Sequence, residues 1–394
     1  MQVEKFSNIS AYALFVYGFI IISPVFAAIF SGSSFLLSIV VLAIVIFMAF
    51  KSNLEYSTYF LISLFSILIT LLVLSLITED VSYILDMRYF IFSLILVYSV
   101  TLSTLYRVTE IASFFIMALL IGGLISLILS MLGIGAIGSF PNPDGRLNNI
   151  YFFTFSNVGW VSLLRPAGIY DEPGAFSFFI CGLAATRHLF KMDNKKTWII
   201  LLMGLQTLSV AHVLYIIFHA IASQNIQFKF IFRVLTVFII INFIAFIDTS
   251  NNITNQFIGR FNITTFGEGR LVGIFKIIDY LKENSDNFLI GARALYDSGG
   301  GYEDYWESMD ILYGGSMGGN ILFPVAANGL IISMPFLFIF LSLTCAPLFR
   351  GRYYIVALGI AALLYNREYI YVLSYSMVII MVFRIAYSRY EPFK

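Results

Sequence analysis

Long runs of hydrophobic residues dominate this chain. No charged side chain occurs between Lys5 and Lys51, and none occurs between Asp310 and Arg350. An apolar run of about 20 residues is long enough to cross the hydrocarbon core of a bilayer as a helix. The pattern therefore predicts an all-α polytopic membrane protein with about twelve transmembrane helices, at residues 12–30, 35–50, 59–77, 89–106, 111–134, 173–189, 197–209, 210–222, 230–247, 321–348, 353–365 and 370–386.

Two long polar segments interrupt the hydrophobic runs and are predicted to be loops on one side of the membrane. They divide the chain into five parts: helices 1–5 in 1–134, the first long loop in 135–172, helices 6–9 in 173–247, the second long loop in 248–320, and helices 10–12 with a short tail in 321–394. Any chemistry is expected where these loops meet the membrane.

The distribution of charge predicts the orientation. With the N-terminus in the cytoplasm, 14 of the 23 basic residues fall on the cytoplasmic side, and 17 of the 22 acidic residues fall on the other. The positive-inside rule supports this arrangement. Both termini are then cytoplasmic, and both long loops face outward. The first apolar run lacks a small-residue cleavage site, so we expect a retained span and not a signal peptide.

Residues 197–222 form the least regular part of the predicted topology, because they are too few for two complete spans. Two short half-helices that meet near Ser209 would preserve the orientation of everything downstream. One tilted span would invert it. We favour the half-helices. Non-helical backbone within a membrane is tolerated only where it is buried or lines a wet cavity, which would place this break beside an active cavity.

Composition excludes several classes of protein. The chain is 60% hydrophobic and 11% charged, which excludes an ordinary soluble domain, and a net charge of +1 without a basic arm gives no reason to expect nucleic acid. Cys181 and Cys345 lie in apolar runs and are expected to be buried thiols. His188, His212 and His219 lie outside both long loops, so no histidine-based metal site is expected there. His212 could approach the break, or be an ordinary polar residue of the bundle.

The first long loop ends with three charged candidates. Asp171 and Glu172 precede Pro173 at the start of a predicted span, where the helix dipole favours carboxylates, so helix capping would explain both acids without catalysis. Arg165 lies at the membrane edge, where a cation needs either a partner or a function.

The second long loop contains a predicted amphipathic helix from Arg270 to about residue 283. Its apolar positions recur at helical spacing: Leu271, Ile274, Ile277, Ile278 and Leu281. A cation in the first turn opposes the helix dipole. Arg270 is favoured there if an anion such as phosphate is bound by the guanidinium and the free N–H groups. A surface ion pair with Glu268 is an equally good explanation.

Aromatic side chains crowd both loops. Flat rings with polar edges suit sugar faces, although an interfacial aromatic belt would explain most of them: Tyr151, Phe152, Phe153, Phe155, Trp160, Tyr296, Tyr302, Tyr305, Trp306 and Tyr313. The acidic residues of the second loop lack the spacing of an EF-hand, which favours a solvated acidic loop over a calcium site.

Three short motifs lie in and beside the two loops: Arg165-Pro-Ala-Gly168-Ile-Tyr-Asp-Glu172-Pro173, then Gly269-Arg270-Leu-Val-Gly-Ile274 followed by Asn287-Phe-Leu-Ile-Gly291, and Gly319-Asn320 leading through Asn328-Gly329 into a late span. Together with the topology, they resemble the O-antigen polymerases and ligases, membrane enzymes that act on lipid-linked polysaccharides. The ligases carry a His before the Asn of the third motif. Gly319 stands there in this chain, which favours a polymerase. The Ser-Arg pair common at the helix break is also absent, since Val210 follows Ser209.

The resemblance implies a membrane glycosyltransferase of the C class that joins undecaprenyl-diphosphate-linked repeat units at the periplasmic face of the inner membrane. No cofactor is expected. No metal is expected either, because the long loops contain no His or Cys and their acids lack a cation-binding spacing, although Asp171 and Glu172 could hold Mg²⁺. Fixed guanidiniums can stabilise a diphosphate leaving group, which makes Arg165 and Arg270 the first candidates and Arg260 and Arg293 the next. Glu172 or Asp171 is the candidate general base, and substrate contacts are expected from Asn320, Trp160 and Tyr170. The expected partners are the bilayer, the lipid-linked oligosaccharide, and a chain-length regulator and flippase of the same pathway.

Two alternatives stay open beside a polymerase. A ligase would transfer the finished polysaccharide to a lipid acceptor. A flippase or transporter would also suit broken helices. A flippase needs polar groups along a route through the membrane, whereas helices 1–5 are almost uncharged. A purely structural scaffold gives no reason for an arginine at the start of the loop helix.

Overall fold

The structure is a computed structural model of the 394-residue chain. It describes residues 2–21, 82–141, 147–156, 163–170, 172–192, 194–223, 272–283, 322–364 and 373–388, with a few positions between 26 and 72 and the pairs 159–160 and 288–289. Some 80% of the described residues are helical, which confirms the predominantly helical class.

The structure describes ten α-helices within these residues. They are α1 Gln2–Phe15, α2 Ser82–Tyr98, α3 Leu102–Met131, α4 Pro173–Leu189, α5 Asn194–Met203, α6 Val210–Ala222, α7 Val272–Glu283, α8 Phe323–Arg350, α9 Ile355–Leu364 and α10 Leu373–Tyr387. A π-helical segment, Val16–Ile21, continues α1, and 3₁₀ turns occur at Gly204–Thr207 and Arg352–Tyr354.

The first long loop contains β-structure that the all-α prediction did not include. Its strands are β1 Gly138–Pro141, β2 Leu147–Ile150, β3 Phe155–Ser156, β4 Gly159–Trp160 and β5 Leu163–Leu164. β1, β2 and β3 form an antiparallel sheet in that order, and β4 pairs with β5. The available signal was the Pro-Asn-Pro-Asp-Gly sequence at 141–145, which begins at the last residue of β1, because such residues favour a turn between two strands.

Two described helices are long and apolar enough to cross a membrane, Leu102–Met131 and Gly329–Arg350. Four others are apolar but shorter: Asn8–Ile21, Val210–Ala222, Arg352–Leu364 and Tyr375–Tyr387. The predicted span 230–247 and most of 59–77 lie outside the described residues. The total of twelve spans therefore stays a prediction.

The turn between α2 and α3 lies earlier in the chain than predicted. Thr101 caps α3, and its hydroxyl accepts a hydrogen bond from the Thr104 N–H at 3.2 Å. Arg107 and Glu110, which we expected in a loop, lie instead in the first turns of α3. Glu110 is exposed, and Arg107 donates to the Asn8 side chain. Charged residues on an exposed helix face reach water directly, so their position does not mark a turn.

Three arginines bind helix ends on one face of the molecule. Each donates to a main-chain carbonyl near the end of another helix: Arg350 to Ala386 at 2.7 Å, Arg352 to Ile221 at 2.5 Å, and Arg384 to Val97. Cations stabilise the C-terminal ends of helices because the exposed carbonyls carry partial negative charge. The ends of α2, α6, α8 and α10 therefore lie together, and we call this surface, defined by the three arginines, the basic face.

The segment 194–222 leaves the basic face and returns to it. Near its start, Arg187 donates to the Thr197 hydroxyl at 2.9 Å. Near its end, the His219 ring lies 5.2 Å from the ring of His188 at the end of α4. A single span would separate the two ends of this segment. The two short helices and the break near Ser209 are therefore confirmed, whereas their place in a membrane stays a prediction. We call the pair of helices the α5–α6 hairpin.

Cysteine labelling can test on which side of a membrane the first long loop and the start of α5 lie. Ile137 is exposed beyond α3, and Lys195 is exposed at the start of α5. We expect Ile137→Cys to react with an impermeant thiol reagent on intact cells, and Lys195→Cys to react only after permeabilisation. The parent protein controls for Cys181 and Cys345. Labelling of the Lys195 position alone from outside would reverse the orientation.

Candidate functional site

The α5–α6 hairpin contains a break in regular helix between Gly204 and Ser209. After the 3₁₀ turn, Leu208 takes a left-handed conformation (φ 50°, ψ 37°) and Ser209 an extended one (φ −90°, ψ 123°) before α6 begins. A left-handed conformation is uncommon for a branched residue and is retained only where its surroundings enforce it. We call residues 204–209 the helix break.

His212, which lies inside the bundle, forms hydrogen bonds beside the helix break. Its Nε2 lies 2.7 Å from the Leu201 carbonyl oxygen. Because a carbonyl only accepts, Nε2 carries the proton, and Nδ1 accepts from the Cys181 thiol at 3.4 Å. Gly204 leaves room for the ring, since a Cβ there would lie 2.5 Å from His212 Cε1. His212 is therefore a structural polar residue of the bundle.

Arg165, in the first long loop, donates hydrogen bonds to the same break. Its side chain is only 5% exposed. Nε donates to the Thr207 carbonyl at 3.1 Å, and Nη2 donates to the Leu208 carbonyl at 3.4 Å. A hydrogen bond to a charged group contributes about 1.5–3 kcal/mol, so these contacts tie the loop firmly to the break. The predicted need of this cation for partners is met by main-chain carbonyls.

Both the break and the loop contact α3 at the same level. Gln206 donates from Nε2 to the Leu120 carbonyl at 2.9 Å. Pro166 packs against Gly123 so closely that a Cβ there would lie 2.9 Å from the proline Cβ. The contacts at Leu120 and Gly123 join three separate parts of the chain, and we call this place the meeting point.

The meeting point lies beside the middle of the uncharged part of α3. Glu110 is the last charged residue of this helix. At 1.5 Å per residue, Gly123 is about 20 Å from Glu110 and about 12 Å from Met131. The start of α5 lies nearer the N-terminal end of α3, because Lys196 Nζ is 3.6 Å from the centre of the Phe114 ring. The two ends of the α5–α6 hairpin thus lie near the basic face, and its break contacts the first long loop beside the middle of α3.

Gly168 gives the Arg165 motif its shape. Its φ is +64°, a conformation that favours glycine, and a Cβ would lie tightly, at 3.3 Å, against both Leu119 and Phe176. The Gly168 N–H donates to the Thr154 hydroxyl at 2.8 Å, and its carbonyl accepts from the Phe155 N–H at 2.9 Å. These bonds turn the chain between Arg165 and α4.

Glu172 occupies the N-cap position of α4. Its backbone is extended (φ −141°, ψ 153°), and its carbonyl accepts from the Ala175 N–H at 3.1 Å. Its side chain makes no capping hydrogen bond. The position of Glu172 at the helix start still fits the expected stabilisation of a carboxylate by the helix dipole. Its role as a general base stays a prediction.

Tyr170 is a core residue. It is fully buried, its ring stacks on Phe179 with centroids 4.2 Å apart, and its hydroxyl donates to the Phe19 carbonyl at 3.4 Å. Burial raises the pKa of the Tyr170 phenol well above its ordinary value. A fully buried ring offers no face to a sugar, so we leave Tyr170 out of the substrate-binding set.

The other predicted site residues are less informative. Trp160 lies in β4 and pairs with Leu163. Five candidates lie outside the described residues, and their roles stay predictions: Asp171, Arg260, Arg270, Arg293 and Asn320.

The second and third motifs contact each other at a second helix break. α8 is interrupted at Gly329, where φ is 81° and ψ is 164°. The N–H groups of Leu330 and Ile331 consequently lack helical partners, and they donate to the carbonyls of Phe288 at 2.9 Å and Leu289 at 3.3 Å. The sequence did not predict this contact, although Gly329 within an apolar run was a possible signal for a kink.

The amphipathic helix of the second loop is present as α7, Val272–Glu283. Ile277 is fully buried on its apolar side, whereas Asp279 and Lys282 are exposed and form an ion pair at 3.0 Å. This confirms the predicted helix over its described part. Residue 270 precedes the described helix, so its contact with an anion is untested.

A comparison with protein-family models and one with curated proteins find no match to this chain. The resemblance to O-antigen polymerases therefore rests on the local motifs and on the predicted topology. The structure describes part of each motif. Arg165 of the first motif contacts the helix break at 204–209, and Phe288 and Leu289 of the second motif contact α8 just after Gly329 of the third.

The fit of His212 against Gly204 predicts that a single methyl group will disturb the break. Gly204→Ala would place a Cβ 2.5 Å from His212 Cε1, and such overpacking costs about 1–3 kcal/mol. We expect faster thermal inactivation of the purified protein. Gly135→Ala is the matched control, because nothing lies within 4 Å of a Cβ at that position. Equal thermal stability of the two variants would contradict the described packing.

Proposed function

We propose that this protein is an inner-membrane glycosyltransferase of the C class that polymerises undecaprenyl-diphosphate-linked oligosaccharide repeat units. The product is O-antigen or a related surface polysaccharide. In this proposal α3 and α8 are two of about twelve transmembrane helices, the basic face is cytoplasmic, and both long loops are periplasmic.

The position of Arg165 is the observation that best supports the proposal. This buried guanidinium belongs to the motif that resembles the polymerase family, and it lies at the meeting point of an outer loop and a broken hairpin. A lipid-linked substrate needs such a place, where a polar diphosphate can contact protein groups below the outer membrane surface while its lipid tail stays among the helices.

The proposed reaction needs stabilisation of a leaving group and removal of one proton. An acceptor hydroxyl attacks the anomeric carbon of the donor, the bond to the diphosphate oxygen breaks, and undecaprenyl diphosphate leaves with the electron pair. Arg165 is held by two carbonyls before substrate binds, so it can stabilise the developing charge with little reorganisation. Arg270 is the second candidate for this role. Glu172 or Asp171 takes the proton of the hydroxyl.

A flippase for lipid-linked oligosaccharide is the rival function, because broken helices also line transport routes. The uncharged stretch of α3 beyond Glu110 gives such a route no ionisable groups along this helix. A deletion strain separates the candidates. Single-repeat surface chains indicate a polymerase, long unattached chains a ligase, and lipid-linked repeats accumulated on the inner face a flippase.

Complementation of that strain tests the role of Arg165. Arg165→Lys keeps a positive charge but loses the planar contact to phosphate, so we expect chain elongation to fall on the order of 10²-fold. Arg187→Lys is the matched control. Arg187 is also buried, and it hydrogen-bonds to Thr197 and Ser113 at the other end of the hairpin.

Chain length and membrane abundance are measured for both variants. The proposal requires loss of long chains with Arg165→Lys at an abundance where Arg187→Lys still makes them. Normal chains with Arg165→Lys, or equal loss in both variants in proportion to abundance, would remove Arg165 from the reaction.

A further inference from the structure

Phe152 and Phe153 form an exposed apolar pair in the first long loop. Their side chains are 53% and 55% exposed, and their ring centroids lie 6.5 Å apart. Two adjacent phenylalanines with this exposure are uncommon on a water-facing loop, because large apolar surfaces that remain exposed usually mark a contact.

The pair packs against α3 several residues before the C-terminal end of that helix. The Phe153 N–H donates to the Ser126 hydroxyl at 3.1 Å. Gly122 allows this approach, since a Cβ there would lie 2.8 Å from Phe153 Cβ. Gly122 is about 14 Å along the helix from Met131. The two rings therefore lie well inside the outer end of a helix that is long and apolar enough to cross a membrane.

The pair also continues an apolar stripe of α3. Exposed side chains recur along one side of this helix at Phe114, Ile121, Ile125 and Ile128, a spacing that places them on one face. Gly122 and Ser126 follow Ile121 and Ile125 by one position each, so Phe153 packs at the edge of this stripe.

Three main-chain N–H groups around the pair form hydrogen bonds within the protein, which lowers the cost of placing non-helical backbone in hydrocarbon. Besides the Phe153 N–H, the Tyr151 N–H donates to the Thr154 carbonyl at 2.9 Å, and the Phe155 N–H donates to the Gly168 carbonyl at 2.9 Å.

We infer that the first long loop re-enters the bilayer and that Phe152 and Phe153 contact the acyl chains of the outer leaflet. The stripe on α3 and this pair form one continuous lipid-facing surface. The inference depends on α3 crossing the bilayer. It does not depend on the glycosyl transfer reaction.

Nitroxide labels report both contact and depth. Phe152→Cys and Phe153→Cys are labelled separately in a Cys345→Ala background and reconstituted in phosphatidylcholine vesicles. The fully buried Cys181 is kept, and the background protein without a new cysteine controls for its labelling. Labels at Ile121→Cys and Ile128→Cys calibrate depth along α3, and one at Lys195→Cys reports water. Collision with oxygen, which partitions into hydrocarbon, is compared with collision with an aqueous nickel chelate.

We expect at least one of the labels at Phe152 and Phe153 to favour oxygen and to lie at a depth between those at Ile121 and Ile128. Exposure of both to nickel, as at Lys195, overturns the inference by placing the loop in water. Exclusion of both probes overturns it by placing a second copy or another protein over the pair. Nickel access at Ile121 would show that α3 does not cross the bilayer, a result independent of any polymerase assay.

Discussion

Polar main chain that lies away from water must find hydrogen-bond partners within the protein, and the centre of this structure is organised around that constraint. The helix break at 204–209 ends one helix and starts another inside the bundle. Arg165 satisfies carbonyls of Thr207 and Leu208, and His212 binds the Leu201 carbonyl just before the break. The break and its partners are therefore one unit, in which the loop cannot move independently of the hairpin.

The same constraint recurs at Gly329 in α8. There the unpaired groups are N–H groups, and the partners are the carbonyls of Phe288 and Leu289. One break is thus bound by a loop cation and the other by loop carbonyls. In each case a continuous helix is interrupted, and a segment of one of the long loops docks at the break.

Local pattern predicted a large share of this architecture. The bounds of α4 and α6 follow from apolar runs, the break follows from a run too short for two spans, and α7 follows from its helical spacing. The start of α3 was misplaced, because Thr101 is a weaker signal than the charges of Arg107 and Glu110. The strands were missed because each is two to four residues long, too short for a clear alternation.

The partners of the candidate site were beyond prediction from local pattern. Arg165 and Thr207 are separated by 42 positions, and Gln206 and Leu120 by 86. Periodicity describes which side of an element is buried, but it does not say which distant carbonyl a side chain reaches. Tyr170 illustrates the same point, since it was expected to contact substrate and its neighbours in space make it a core residue.

The central claim is that the first long loop reaches the middle of α3 and meets the hairpin there. Disulfide formation measures this directly, because it requires two Cβ atoms within about 4.5 Å of each other. A Cβ at position 123 would lie 2.9 Å from the Pro166 Cβ, so only a small outward shift of the loop is needed to reach the bonding distance. In a Cys345→Ala background, oxidation of membranes should cross-link Pro166→Cys with Gly123→Cys, as detected by a disulfide-linked peptide in mass spectrometry. Cross-linking of Pro166→Cys with Met131→Cys instead would place the loop at the outer end of α3 and contradict the account.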